Sequence, residues 1–174
     1  MRAGLVALTA SLAVGVSLVV LSPAEGRSAT VCTWGGTPPS PTGVITLTPG
    51  LTNTPSTVPT KFVATGPLGG GAGCRGTFTF TGIIDPGTTC QFNAAFVAKA
   101  VGLPPVRRAV AQPGPAGTQP VLLYDRHGNV VGSEQAQFLT WAATNPEALR
   151  QCNAPPGLTR AHWSDTVEVF TSGG

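Results

Sequence analysis

The stretch 124–134, YDRHGNVVGSE, brings an aspartate, a histidine and a glutamate close together in the chain. These residue types act as general acids and bases, so the stretch is the first candidate for a catalytic site. Asp125 and Gly128, however, fit the first and fourth positions of a type I turn, in which Asp accepts backbone hydrogen bonds and Gly adopts a left-handed conformation. The pattern therefore predicts a hairpin turn with His127 exposed at its tip, between the strands VLLY and NVV.

Two carboxylates that face each other across a cleft would provide the chemistry of a glycosidase. Most acidic residues have a simpler explanation, because Asp85 and Asp125 fit turns and Glu147 fits the start of a helix. Glu134 has no such local explanation, although a lone acid usually lies on a solvated surface. A pairing of Glu134 with Asp165 from another part of the chain therefore stays open.

Residues for nucleophilic catalysis are present but not assembled. No Gly-x-Ser-x-Gly motif occurs in the chain. His162, Ser164 and Asp165 have the residue types of a triad, but neighbouring strand residues point to opposite faces and cannot converge.

No residue is predicted to be catalytic. Two alternatives stay open: an extracellular hydrolase that uses Glu134, Asp165 or His162 from different strands, and a secreted protease inhibitor that presents the loop GPLGGGAGC.

Large aromatic rings are better candidates for binding. In a secreted β-protein, rings that carry a polar group can form a flat platform for a sugar or a protein. The candidate ligand-binding residues are Trp141, Trp163 and Tyr124. Trp141 and Trp163 border loops and are the best candidates for exposed rings, although packing in the core or at its rim is the more usual role of such residues and stays open. Trp34 shares a strand face with Cys32 and is predicted to pack against a disulfide.

The cysteines predict a covalent framework. The chain has four of them: Cys32, Cys74, Cys90 and Cys152. An even number in an exported chain predicts two disulfides. A zinc site is disfavoured, because no Cys-x-x-Cys pair occurs and the two histidines, His127 and His162, are not spaced as ligands. Neither a metal nor a cofactor is predicted.

Geometry limits how these cysteines can pair. If residues 85–87, DPG, form a tight turn between TFTFTGII and TTCQF, Cys74 lies on the order of 27 Å from Cys90. Bridged Cα atoms lie within about 7 Å of each other, so these two cysteines do not pair in that arrangement. Of the two remaining sets, Cys32 with Cys74 and Cys90 with Cys152 is favoured because it closes shorter loops. The other set stays open.

Alternating apolar and polar residues predict short β-strands. TFTFT puts Phe78 and Phe80 on one face, and CQFNAAFVAKA does the same for Cys90, Phe92 and Phe96. Similar runs recur between segments rich in glycine and proline, and TNPEALRQCN predicts one short helix near the C-terminus. The predicted fold class is an all-β antiparallel sandwich of about eight or nine short strands with two disulfides.

The first residues predict export. MRAGLVALTASLAVGVSLVVLSPAEGRSAT has a basic start, an apolar run and small residues that suit cleavage after Ala24, or as late as Ala29. Segment 1–24 is predicted to be a signal peptide and 30–171 a single secreted domain. Ten basic and seven acidic residues give a net charge of +3, which is too weak to indicate nucleic acid as a partner. No membrane contact is expected after removal of the signal.

Three segments also resemble a known kind of protein. CTWGGTP near the predicted mature N-terminus, LYDRHGNVVGSE in the middle and CNAPPG before the last strand are similar in style to small secreted proteins of actinobacteria. This resemblance implies an extracellular location and no particular activity. The sequence therefore predicts a secreted, non-catalytic β-sandwich protein that binds an extracellular protein, a glycan or a cell-surface component.

Overall fold

A computed structural model describes residues 28–37, 40–116, 119–136 and 146–170. The predicted signal peptide, 1–24, and Trp141 lie outside these described residues. Within them the chain forms fourteen strands and one helix. The elements are β1 (Ala29–Trp34), β2 (Gly36–Thr37), β3 (Ser40–Pro41), β4 (Gly43–Leu51), β5 (Thr60–Gly70), β6 (Thr77–Ile84), β7 (Phe92–Asn93), β8 (Phe96–Val101), β9 (Arg108–Ala111), β10 (Gly114–Pro115), β11 (Pro120–Tyr124), β12 (Val130–Ala136), α1 (Pro146–Gln151), β13 (Leu158–Trp163) and β14 (Asp165–Phe170).

Eight strands close into an antiparallel barrel. They follow the order β1-β14-β12-β11-β9-β8-β6-β5, and β5 pairs again with β1. The all-β prediction is confirmed, whereas the predicted sandwich is replaced by this closed sheet. Alternation in the sequence shows that one face of a strand is buried, but both a sandwich and a barrel bury one face. Which of the two forms depends on pairing between distant strands.

The barrel closes because β5 changes its partner along its length. β5 is 11 residues long. Its first part pairs with β4, where Thr48 lies opposite Lys61, and its last part pairs with β1, where Trp34 lies opposite Leu68. β13 then pairs with the outer edge of β4. β4 and β13 are therefore two additional strands beside the closed barrel.

Three glycines allow the backbones to approach where β5 changes partner. A Cβ atom on Gly66 would lie 2.7 Å from the Cα atom of Gly35, and one on Gly43 would lie 3.0 Å from the same atom. The backbone N–H of Gly35 donates to the carbonyl of Pro67 at 2.9 Å, and that of Gly43 donates to the carbonyl of Gly35 at 3.0 Å. This close contact leaves no room for a side chain, which explains the glycines in TWGG and in VATG.

The core centres on Trp34. Its ring centroid lies 4.7 Å from that of Phe78, 4.6 Å from that of Phe80 and 4.1 Å from that of Trp163. The indole N–H of Trp34 donates to the carbonyl of Phe78 at 2.8 Å, so this buried polar group is satisfied. Trp34 lies beside Cys32 on the inward side of β1, and Phe78 and Phe80 share a buried face as predicted.

Two disulfides join Cys32 to Cys74 and Cys90 to Cys152. These are the pairs favoured from the sequence, but the hairpin used to reach them does not form, although Pro86 and Gly87 do make a turn. β6 pairs directly with β8, with Ile84 opposite Phe96, so residues 85–95 make a longer connection and Cys90 lies within it. Two bonded cysteine pairs are consistent with an oxidising compartment.

The predicted inward face of CQFNAAFVAKA is therefore wrong at its start. Cys90 is only half-buried and the Phe92 side chain is 42% exposed. Threonine hydroxyls take up backbone N–H groups of the 85–95 connection that strand pairing would otherwise use. The Thr89 hydroxyl accepts from the N–H of Phe92, and the Thr88 hydroxyl accepts from the N–H of Ala94. Such side-chain hydrogen bonds give the backbone an alternative to strand pairing.

The predicted turn after β11 is confirmed. The N–H of Gly128 donates to the carbonyl of Asp125 at 3.3 Å, and an oxygen of the Asp125 carboxylate accepts from the N–H groups of His127 and Asn129. Gly128 has a φ of 86°, which is the left-handed conformation expected of it. α1 comes before the last two strands. Among the described residues, no helix is long and apolar enough to span a membrane.

Candidate functional site

A cavity of about 330 Å³ lies inside the fold, between the barrel strands and the additional strands β4 and β13. Its walls come from ten strands and the loops near them, and they are mostly aliphatic and aromatic. The aromatic wall residues are Trp34, Phe62, Phe96 and Trp163. Phe62 and Phe96 meet edge to face, with ring centroids 5.1 Å apart. A cavity of this size and lining is typical of a small-molecule site.

One end of the cavity reaches the surface. The exposed Gln91 and the half-buried Asn93 and Ala116 line this end, which we call the mouth. Gln119 supports it from inside: its buried amide donates to the carbonyls of Ala94 and Gln112, which joins the 85–95 connection to the residues after β9. The mouth is thus built from loops that are fixed to each other.

Two carboxyl groups lie in the wall of this cavity, and we call them the carboxyl pair (Glu134 and Asp165). Glu134 lies in the middle of β12, opposite Val167, and Asp165 begins β14, two residues away on the same inward face. The two residues are 6% and 4% exposed. Their carboxyl groups are hydrogen-bonded to each other. The hypothesis of a Glu134–Asp165 pairing, left open from the sequence, matches this geometry.

Burial changes the protonation of the carboxyl pair. Burial raises the pKa of Glu134 well above its usual range, and the charge of Asp165 and the hydrogen bond to it raise that pKa further. Burial also raises the pKa of Asp165 to about 6, against the effect of its hydrogen bonds with Glu134 and with the N–H of Thr166. Above the pKa of Asp165, near neutral pH, these shifts leave one proton on the pair, held by Glu134, whose O–H donates a hydrogen bond to Asp165, and the pair carries one negative charge.

No positive charge balances this pair in the described part of the site. Among the described residues that line the cavity, Glu134 and Asp165 are the only ionisable side chains, since Cys90 is bonded to Cys152. One oxygen of Glu134, Oε2, also has no hydrogen-bond partner among the described protein groups. A buried carboxyl without a countercharge is unfavourable by itself, so it indicates a place where another molecule can contribute.

Trp163 is inside the molecule and not on a surface platform. The side chain is 6% exposed, lines the cavity and packs edge to face against Trp34. Its indole N–H has no acceptor among the described groups. Of the two alternatives for Trp163, exposure is wrong and core packing is found, because inward alternation along β13 puts Ala161 and Trp163 on the buried face. The residue nevertheless lies in the candidate site.

The other predicted residues are not brought into this site. Tyr124 is half-buried beside Arg108, whose guanidinium lies 4.8 Å from the centre of its ring, and neither residue lines the cavity. Trp141 is outside the described residues. His162 is exposed next to the buried Trp163, so the strand points it away from the carboxyl pair. The combination of Glu134, Asp165 and His162 in one cleft does not occur.

The segment GPLGGGAGC also differs from its predicted form. Most of it, through Gly70, belongs to β5, and Cys74 is buried in its disulfide. It does not form the long exposed loop that an inhibitor would present. For metals, no group of three or more His, Cys, Asp or Glu residues lies together within the ranges that the structure describes.

The fold and the site together define an antiparallel β-barrel, braced by two disulfides, with an internal cavity that carries a buried carboxyl pair. No family model, no curated protein and no solved structure matches this chain. The evidence for a function therefore comes from the geometry of the cavity.

Proposed function

We propose that this chain is a non-catalytic binding protein that holds a small molecule in the barrel cavity. The observation that carries the proposal is that two buried polar atoms without a hydrogen-bond partner belong to residues that line the same apolar cavity. These atoms are Glu134 Oε2 and the indole nitrogen of Trp163. A buried polar group without a partner costs about 1–3 kcal/mol. A ligand with a polar head group would remove this penalty, and its apolar body would fill the remaining space.

The setting we propose for this activity is extracellular. The two disulfides favour an oxidising compartment, and the predicted signal peptide, 1–24, would direct the chain there. The expectation of a protein or glycan partner depended on exposed aromatic rings. Because Trp163 lies in the cavity, the structural support now favours a small molecule over a protein surface or a polysaccharide chain.

A neutral, apolar fluorophore such as phenylnaphthylamine provides the test. We expect its emission to rise and saturate when it is titrated with the purified protein, because transfer into the cavity removes it from water. The variant Ala161→Phe fills the cavity and should abolish this signal. The matched control Val97→Phe adds the same ring to a residue that is 54% exposed outside the barrel, and it should bind as the wild type does. Equal signals from the two variants would refute the proposal.

A hydrolase is the second candidate, and the shared proton of the carboxyl pair favours it. Enzymes that use two carboxyl groups keep one protonated and one ionised, as Glu134 and Asp165 are here. His162 has no part in this version because it faces away. Hydrolysis of a panel of peptides and glycosides above about pH 6, where Asp165 is ionised, would support the enzyme over the binding protein if it were lost in Glu134→Gln.

A further inference from the structure

We propose that the ligand of this cavity is a small organic amine with one positive charge and an apolar body, whose ammonium group lies on the carboxyl pair. This inference rests on the proposed function, because it names the ligand class of the same cavity. It is carried by the charge of the pair, by the rings that line the same cavity and by the unpartnered oxygen Glu134 Oε2, which can accept a hydrogen bond from an ammonium group.

Charge balance selects a monocation. A carboxyl pair that shares one proton carries one negative charge, and no described lining residue carries a positive charge. An ammonium group would neutralise this charge and donate hydrogen bonds to the free oxygen of Glu134. A neutral ligand leaves the buried charge without compensation, and an anionic ligand adds repulsion to it.

The remaining cavity surface fits an aromatic or aliphatic body. Trp34 lies opposite Asp165 across the β1–β14 ladder and Trp163 packs against Trp34, so two indole rings with electron-rich faces line the same cavity as the carboxyl pair. Such faces attract organic cations. Phe62 and Phe96 form an apolar wall elsewhere in the cavity. A volume of about 330 Å³ equals that of roughly ten waters at about 30 Å³ each, which limits the ligand to a small amine.

The pH dependence follows from the groups that face the pair. The inward residues of the neighbouring strands are Cys32, Trp34, Val121, Leu123, Ala161 and Trp163, and none of them titrates, since Cys32 is in a disulfide. Asp165 reaches half-ionisation at about pH 6. We therefore expect the amine to bind more tightly as the pH rises from about 5 to about 7, while the amine itself stays protonated below its own pKa near 10.

Calorimetric titrations with three ligands of similar size would test the ligand class: phenylethylamine, phenylethanol and phenylacetate. We expect the wild type to bind the amine at least about tenfold more tightly than the alcohol or the anion. Equal binding of all three would overturn the amine proposal but leave a small-molecule cavity in place. If none of the three bound while the neutral fluorophore did, the amine proposal would also fall. Loss of fluorophore binding as well would remove the proposed function itself.

Variants separate the charge from the shape of the site. The double variant Glu134→Gln with Asp165→Asn has no charge and should bind phenylethylamine at least about tenfold more weakly. Glu168→Gln, a half-buried carboxylate on the other face of β14, is the matched control and should bind as the wild type does. Unchanged binding in the double variant would refute the amine proposal.

Discussion

Glu134 and Asp165 are hydrogen-bonded to each other inside the barrel although they belong to different strands, β12 and β14. The antiparallel register sets this relationship, because it places Ala136 opposite Asp165 and Glu134 two residues further along the same face. The pair is therefore a product of strand pairing and not of local sequence. The protonation of the pair, the packing of the core around it, the crossing of β5 and the disulfide at the mouth each lead to a measurable prediction.

The ligand-free protein should become less stable as the pH rises from about 4 to about 6. The pKa of Asp165 is raised from 3.8 to about 6, so the folded state keeps a proton that the unfolded state has already released. This contribution to the free energy of unfolding is complete below the unfolded pKa and is lost as the pH passes the folded pKa. The raised pKa of Glu134 acts in the same direction at higher pH. Thermal unfolding followed by circular dichroism at several pH values would measure the slope.

Asp165→Asn should flatten this pH profile, whereas Glu168→Gln should keep it. The lowered pKa of Asp125 acts in the opposite direction, because its hydrogen bonds with Asn129 and His127 are lost as the pH falls through its folded pKa. The loss of stability from Asp125 therefore occurs at a lower pH than the transition of Asp165. A melting temperature that rises between about pH 4 and about pH 6 in the wild type would contradict the prediction.

Phe78→Ala should destabilise the barrel by about 3–5 kcal/mol. The side chain is fully buried and contacts the rings of both Trp34 and Phe80, so its removal loses apolar burial and leaves a hole. Val97→Ala, at a side chain that is 54% exposed, should stay within about 0.5 kcal/mol of the wild type. Urea unfolding measures both. Similar values for the two variants would mean that the core is not where the structure places it.

Gly66→Ala should cost about 1–3 kcal/mol because the added methyl group has no space. Its carbon would lie 2.7 Å from the Cα atom of Gly35, and the atoms it would meet in Gly35 and Gly43 are backbone atoms that cannot rotate away. Gly71→Ala is the matched control, since its nearest neighbour would be 3.8 Å away. Urea unfolding of the two variants should show a loss only for Gly66. Equal stabilities would show that the β5 crossing is looser than described.

Removal of the Cys90–Cys152 bond should weaken ligand binding as well as stability. Cys90 lines the cavity beside the mouth, whereas Cys32 and Cys74 do not line it. Replacing either cysteine pair by alanine should cost about 2–5 kcal/mol of stability. At a temperature where both double variants are folded, only the variant without Cys90 and Cys152 should lose affinity for phenylnaphthylamine. Loss of affinity in both variants would show that the bond at the mouth has no special role.

Local sequence signals predicted local structure well. Asp125 and Gly128 form the expected turn, because side-chain hydrogen bonds and left-handed glycine act over a few residues. Phe78 and Phe80 share a buried face, as the two-residue period requires. The disulfide pairs agree with the favoured set, although the hairpin assumed around 85–87 does not form: a turn is present there, but β6 pairs with β8 across a longer connection. The hydroxyls of Thr88 and Thr89 accept backbone N–H groups of that connection in place of strand pairing.

The cavity and its carboxyl pair depend on contacts between distant segments. The sequence held one signal for the position of Glu134. The hairpin turn places Val121 opposite Glu134, and Val121 lies two residues from the inward Leu123, on the same face of β11. This register puts Glu134 on the buried face. Barrel closure had no comparable signal, because it depends on one long strand, β5, that pairs with two partners in turn.

The rim of the cavity is covalently fixed before any ligand arrives. The Cys90–Cys152 bond is flanked by backbone hydrogen bonds from Cys90 to the carbonyl of Thr52 and from Asn53 to the carbonyl of Cys152, both 2.9 Å long. Such preorganisation lowers the conformational entropy that is lost on association. We expect the entrance to behave as an aperture of constant width, so discrimination among related compounds will follow their cross-section more than their flexibility.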